Sequence, residues 1–252
     1  SYPSTGSTGD GYRMAAALGH TVVPPVPSLV ALVERGGTCR RMMGLSLRNV
    51  TLRLRCDGRC VFEEQGELLF THFGLSGPLA LSASAAMRHA GEVSYEAVID
   101  LKPALDEKTL DRRIVSDFEK YSNRDFANAL GGLLPQKLIA PFVALTGISP
   151  TKKVNSLTRA ERASVVAHMK GMRIPLSGLR PIEEAVITSG GVSIREIDPH
   201  TMESKLVPGL FFAGEIIDVD GYTGGYNLQI AWSTGRAAGI AAADAGNNIS
   251  GS

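Results

Sequence analysis

The chain has 252 residues, long for one compact core and ordinary for two. Apolar residues make up 44% and charged residues 20%, which excludes a disordered polymer, and the net charge of +1 gives no electrostatic reason to expect nucleic acid or an anionic membrane as partner. No apolar run approaches the ~18 residues needed to span a bilayer, and three cysteines, Cys39, Cys56 and Cys60, do not make a disulfide scaffold, which suits a reducing cytoplasm.

The first stretch, "STGSTG" at residues 4–9, is a small-residue loop. It runs into "DGYRMAAALGH", where Tyr12, Met14, Ala15 and Leu18 share a helical face and Gly19 suits the end. "TVVPPVPSLVAL" follows, with three prolines in four positions; proline withholds a donor and biases its predecessor away from helix. This predicts an extended connector at a domain boundary.

Residues 45–70 alternate apolar and polar positions, the pattern of half-buried strands. Asp57-Gly58 predicts a two-residue hairpin turn that sets Cys56 opposite Arg59 and Cys60 opposite Arg55. The two thiols then face opposite sides of the sheet, which argues against a bridge or a shared metal. "GLSGPLALSASAAMRHAG" predicts a helix with Ser76 as N-cap, Pro78 in the first turn and Gly91 at its end. "EVSYEAVIDLKP" predicts a strand closed by Pro103.

From Asp106 the period turns helical, with Leu110, Ile114, Val115 and Phe118 on one face. Short helices continue to about Leu145, with breaks expected at Gly131-Gly132 and Pro141. Thr158 and Glu161 form a capping-box signature, and Gly171 closes that helix. Strands resume with "RIPLSGL" and "EEAVITSGGVSIREI". The order is helix, β section, helical section, β again, then a final strand–loop–helix, which suggests one domain interrupted by another.

The final stretch, "LFFAGEIIDVDGYTGGYNLQIAWSTGRAAG" from Leu210, carries the chemistry. "LFFAG" is apolar throughout, as expected of a strand buried on both faces. Gly214 ends it without a side chain, and Glu215 follows at the carboxyl end, where open α/β sheets bind ligands. A carboxylate there accepts hydrogen bonds from sugar-type hydroxyls. Gly221, Gly224 and Gly225 let the backbone pass close to a flat or bulky group. The helix starting near Tyr226 offers unpaired amides and partial positive charge to an anion or a reduced ring system. A purely structural strand–turn–helix explains the spacing as well.

Taken with "ITSGGVSIREI", "LLFTHFGLSGPLALS" and "SYPSTGSTGDGY", this stretch resembles the NAD(P)/FAD-dependent oxidoreductase family of aminoacetone-oxidase-like and bile-acid 3-oxo reductase-like flavoproteins. The likeness runs from Ser1 to about Ala243. It implies an α+β, multi-domain fold: a two-layer FAD-binding α/β domain interrupted by an insert made of a β-barrel and a helical subdomain. The expected division is 1–21 and 188–252 for the FAD-binding domain, 22–104 and 165–187 for the barrel, and 105–164 for the helical part. The resemblance also implies a cofactor site. Glu215 would hold the ribityl chain, the backbone around Gly225, Tyr226 and Asn227 would meet the pyrimidine edge, and Gly214 and Gly224 belong to the same cofactor-binding set. Gly190 and Gly191 would line the cofactor on the return from the insert. NAD(P)H is the implied electron donor, a small organic molecule the substrate.

The family opens with a strand and G-x-G-x-x-G, which seats the pyrophosphate on a helix N-terminus. The chain has no such motif: "GSTGDG" has other offsets and follows no strand. A C-terminal portion of the enzyme is therefore expected, with weak or no FAD binding on its own. A reading of another class is a non-catalytic module that binds protein or RNA, against which the near-neutral charge counts. Ser76 in "GLSGP" lacks the G-x-S-x-G context of a nucleophile. His72 is expected to be structural before it is a substrate contact, and Glu203 and Lys205 to pair across a turn. His20, His89, His168 and His200 have no metal-ligand spacing, so no metal site is expected. Tyr2, Tyr222 and Tyr226 suit either stacking on a flavin or core packing.

Overall fold

The computed structural model describes residues 6–87 and 93–250, the side chains of 247–250 excepted. The chain divides into two compact units, residues 31–179 and the remainder on either side. The division falls at 30/31 and 179/180, against the expected 21/22 and 187/188. The proline-rich stretch explains the first difference. It forms β1 (Val22–Ser28), which pairs antiparallel with β8 (Ile187–Val192) and so stays with the outer unit. The register slips between Val23 and Val26, at Pro24 and Pro25, which have no amide to donate.

The inner unit is built on β2 (Leu32–Glu34), β3 (Ser46–Cys56), β4 (Arg59–Phe70), β5 (Gly74–Ser76), β6 (Tyr95–Asp100) and β7 (Met172–Leu179). They close into an antiparallel barrel in the order β2-β5-β4-β3-β6-β7, the barrel that the resemblance implied. The hairpin of β3 and β4 turns at Asp57-Gly58, both with positive φ, so its twist matches the strands. Cys56 lies opposite Arg59 and Cys60 opposite Arg55, as expected, and all three thiols are free. At the seam of β2 and β5, a Cβ on Gly74 would lie 2.1 Å from the Leu32 carbonyl oxygen, so closure there requires glycine.

Around the barrel lie α2 (Thr38–Arg41), α3 (Pro78–Ser84), α4 (Glu107–Lys120), α5 (Phe126–Ala129), α6 (Gln136–Thr146) and α7 (Arg159–Lys170). In α3 the N-cap is Gly77, not Ser76, which is taken up by β5; Gly91 lies outside the described residues. Leu110, Ile114 and Phe118 of α4 are buried, with Val115 at the margin. The chain does break at Gly131-Gly132, but Pro141 sits inside α6, which continues through it. Burial of Leu138, Ile139, Phe142 and Val143 on either side outweighs the lost backbone bond. The capping box of Thr158 and Glu161 is complete. A buried ion pair, Lys170 to Asp100 at 2.6 Å, ties α7 to β6, and Lys170 also donates to the carbonyls of Lys102 and Leu105.

The outer unit contains α1 (Asp10–Ala17), the β1–β8 pair and α8 (Tyr226–Ser250) around a small core of Ala15, Val192, Ile197, Met202, Phe212, Ile217 and Ala238. Leu210–Gly214 is not a strand. Phe211 makes one isolated bridge to Glu203, and Phe212 is buried edge-on against His20. Gly214, at φ +75, then turns the chain into a 3-10 turn, Gly214–Ile216. No helix among the described residues is long and apolar enough to cross a membrane.

Candidate functional site

Glu215 sits on the 3-10 turn, and its Oε1 accepts the Thr188 amide of β8 at 2.9 Å. The turn is fixed from three sides. The Tyr12 hydroxyl donates to the Glu215 carbonyl at 3.3 Å. The Gly214 amide donates to Thr234 Oγ1 of α8 at 2.9 Å, and that hydroxyl donates to the Ile230 carbonyl at 2.7 Å. The Asp218 amide donates to the Val192 carbonyl at 2.9 Å. A cavity of about 380 Å³ opens between Glu215, Ile216 and the loop from Gly6 to Tyr12. The small-residue loop and the acid, more than 200 residues apart, thus form one wall-and-floor arrangement.

Gly190 and Gly191 are both buried with positive φ. A Cβ on Gly190 would lie 2.7 Å from the Pro24 carbonyl oxygen, and one on Gly191 would lie 2.4 Å from that of Ile216. Their glycine identity is accounted for by close backbone packing, which lets β8 run directly beneath the turn that carries Glu215. Two residues back along the strand from Gly190, Thr188 is 4% exposed, and its Oγ1 has no partner among the described residues. A buried hydroxyl left unpaired is costly unless a ligand or water completes it.

The loop that leads to α8 is held by its own side chains. Asp220 accepts from the hydroxyls of Ser28 and Ser189, each at 3.1 Å. Asn227 pairs with both backbone groups of Gly221, at 2.8 Å each, so its amide works on the loop. Gly224 and Gly225 have φ of +111 and +91, and a Cβ on Gly225 would meet nothing within 4 Å. Tyr226 and Tyr222 are exposed, while Tyr2 lies outside the described residues. Glu215, Gly214 and Tyr12 are therefore drawn together with the loop of residues 6–11, and the stretch from Gly224 to Asn227 opens α8.

Thr188, Thr234 and Asp220 escaped the sequence reading, and Tyr12 was read only as part of a helical face, because single polar residues in apolar or glycine-rich runs carry no periodic signal. So did a network around His20, whose Nε2 meets Ser204 Oγ at 2.9 Å and whose Nδ1 meets Glu196 at 3.1 Å. Ser204 Oγ accepts the amides of Leu206 and Val207, so its proton points at Nε2 and the imidazole donates from Nδ1. A serine whose lone pairs are so engaged is a latch, not a nucleophile. Bonds from Thr21 first, then His20, hold Glu196 below the usual carboxylate range. Glu203 and Lys205 do not pair: Glu203 accepts the Gly209 amide, and Lys205 donates to the Arg195 carbonyl. His72 is exposed and lies edge-on to Phe73. Burial, with the charge of Glu34 adding, pushes the Cys39 thiol up, so it stays neutral and inert. No group of His, Cys, Asp or Glu among the described residues is arranged to hold a metal.

Residues 1–241 match the family model described as the HI0933-like protein Rossmann domain. The chain is 32% identical over 247 residues to a 3-dehydro-bile acid delta(4,6)-reductase of Clostridium scindens, covering 96% of the chain and 59% of that protein. It is also 32% identical to ribosomal RNA dihydrouridine synthases of Escherichia coli and Haemophilus influenzae, over 234 and 237 residues, covering 93% and 94% of the chain and 56% of each. The chain thus spans a little over half the length of the curated relatives it matches.

Proposed function

The chain belongs to the HI0933-like family of FAD-dependent oxidoreductases, and on that premise we propose that it forms the flavin-side half of a reductase acting on a carbon–carbon double bond conjugated to a carbonyl. The family membership supports the flavin. The names of the relatives support the bond: a delta(4,6)-reductase and a dihydrouridine synthase both add two hydrogens across such a double bond. FAD supplies hydride transfer when bound, with NAD(P)H as the proposed donor.

The residues present suit that cofactor. The observation that carries the reading is Glu215, a carboxylate fixed by the Thr188 amide and lining the cavity. The acid offers what a ribityl chain needs, an acceptor in a site already ordered. The first amides of α8 would hold negative charge, because they lack intrahelical acceptors and sit at the positive end of a 25-residue helix. Gly224 and Gly225 leave that end open to a flat ring. Tyr12 fixes the turn through the Glu215 carbonyl.

The test supplies the protein with FAD and NADPH and offers either a 3-oxo-4-ene steroid or a uridine oligonucleotide. Loss of conjugated absorbance with a mass gain of two hydrogens supports the proposal. Oxidation of NADPH that leaves both compounds unchanged contradicts it.

A further inference from the structure

The whole-chain charge of +1 conceals a segregation. Residues 31–179 hold 21 Lys and Arg against 15 Asp and Glu, a net charge of +6, whereas the outer unit holds 5 against 10, a net charge of −5. The average that argued against nucleic acid is the sum of two opposite fields.

Within the basic unit fewer than half of the cations sit in ion pairs among the described residues. Arg53, Arg113, Lys152, Lys153, Arg162, Lys170 and Arg173 each pair with an acid. The segment "RGGTCRR" at residues 35–41 gathers three of the unpaired ones within seven residues. Arg35, Arg40 and Arg41 are exposed and make no ion pair or side-chain hydrogen bond among the described residues. Glu34, the acid beside them, turns its carboxylate onto the Thr38 and Cys39 amides at 2.9 and 2.8 Å, where it caps α2. The Arg35 amide is anchored to the Pro175 carbonyl of β7 at 2.8 Å, so the segment is held to the barrel. Gly36 and Gly37 are exposed, and a Cβ on Gly37 would meet nothing within 4 Å. A fourth cation joins from α6: Lys137 donates to the Met43 carbonyl, just past the end of α2.

We propose that Arg35, Arg40, Arg41 and Lys137 form a binding surface for the phosphodiester backbone of RNA. Arginine forks match phosphate oxygens, and their planes stack on unpaired bases, while the glycines let a strand approach the backbone. A protein partner fits less well. The patch exposes one large apolar side chain, Met43 at 52%, and has no aromatic anchor. The surface is independent of the flavin reading, so its test contains no flavin.

Labelled single-stranded RNA is titrated with the 252-residue chain between 50 and 200 mM KCl, and anisotropy is read. Each phosphate contact on a single strand contributes about 0.7 to the slope of log affinity against log salt. The variant Arg35→Ala/Arg40→Ala/Arg41→Ala is expected to bind at least about tenfold more weakly at 100 mM, with a slope shallower by about 2. A charge-matched control, Arg13→Ala/Arg195→Ala/Arg236→Ala, removes three cations from the acidic unit and is expected to shift affinity less than about threefold. The Lys-for-Arg triple variant keeps the slope, and Lys137→Met makes it shallower by at most about 0.7. Equal losses in the two alanine triples, no RNA affinity in the wild type, or displacement of RNA by poly-glutamate at equal charge would overturn the proposal; the last result points to an acidic protein instead.

Discussion

The two units of the chain solve different problems. Residues 31–179 close a sheet on itself, so no strand edge of the barrel is left open, and bury a continuous core from Leu32 to Leu176. The outer unit has a two-stranded pair, a small core and a 25-residue helix, α8, whose Leu228, Trp232 and Ile240 are exposed, Trp232 at 67%. An apolar groove of about 460 Å³ runs along the same helix, between Ile194, Met202 and Ile230. The larger buried core lies in the first unit, and the groups proposed to meet the cofactor lie in the second.

The largest expected effect breaks the comparison directly. Phe142 is fully buried in the barrel-side core, and Phe142→Ala should cost about 3–5 kcal/mol in urea denaturation. Phe212→Ala, in the small core, should leave that transition in place and speed amide exchange only in the outer unit. If both variants moved one common transition equally, the two units would fold as one and the contrast would fail.

A smaller effect sharpens it within the helical part. Thr158→Ala removes the cap of α7 and should cost about 1 kcal/mol near neutral pH. Lys152 first, and then the bonds from Thr158, hold Glu161 down to about 2, below its ordinary 4.5. A carboxylate with a depressed value stabilises the fold above its ordinary range and loses that contribution as pH falls from 4.5 toward 2. Glu161→Gln should therefore flatten the acid limb of the stability curve in that window. An unchanged limb, followed by circular dichroism, would contradict the assignment.

What could be read in advance was local. The Asp57-Gly58 turn set the cysteine register, and Thr158 with Glu161 announced a cap, because neighbours in sequence determine both. Barrel closure was reached through resemblance, since nothing in β2 alone names β5 and β7 as its partners. The apolar run from Leu210 misled, because a short buried turn and a buried strand look alike without a period. Pro141 misled for the opposite reason: packing on both sides overrode a local breaker. At the site, Glu215 stood out at the end of an apolar run, but its fixing by Thr188 and Tyr12 depends on backbone paths that bring residues 12, 188 and 215 together. The charge segregation was present in the residue counts and was lost by averaging over the chain.

The central claim is that Glu215 holds a polyol beside an isoalloxazine. Riboflavin carries just those two parts, so its fluorescence quenching by the 252-residue chain tests the claim without the phosphate contacts of FAD. A hydrogen bond to a carboxylate is worth about 1.5–3 kcal/mol, so Glu215→Gln should weaken riboflavin binding roughly 10- to 100-fold with the circular dichroism spectrum unchanged. Equal quenching by the wild type and the variant would contradict the account.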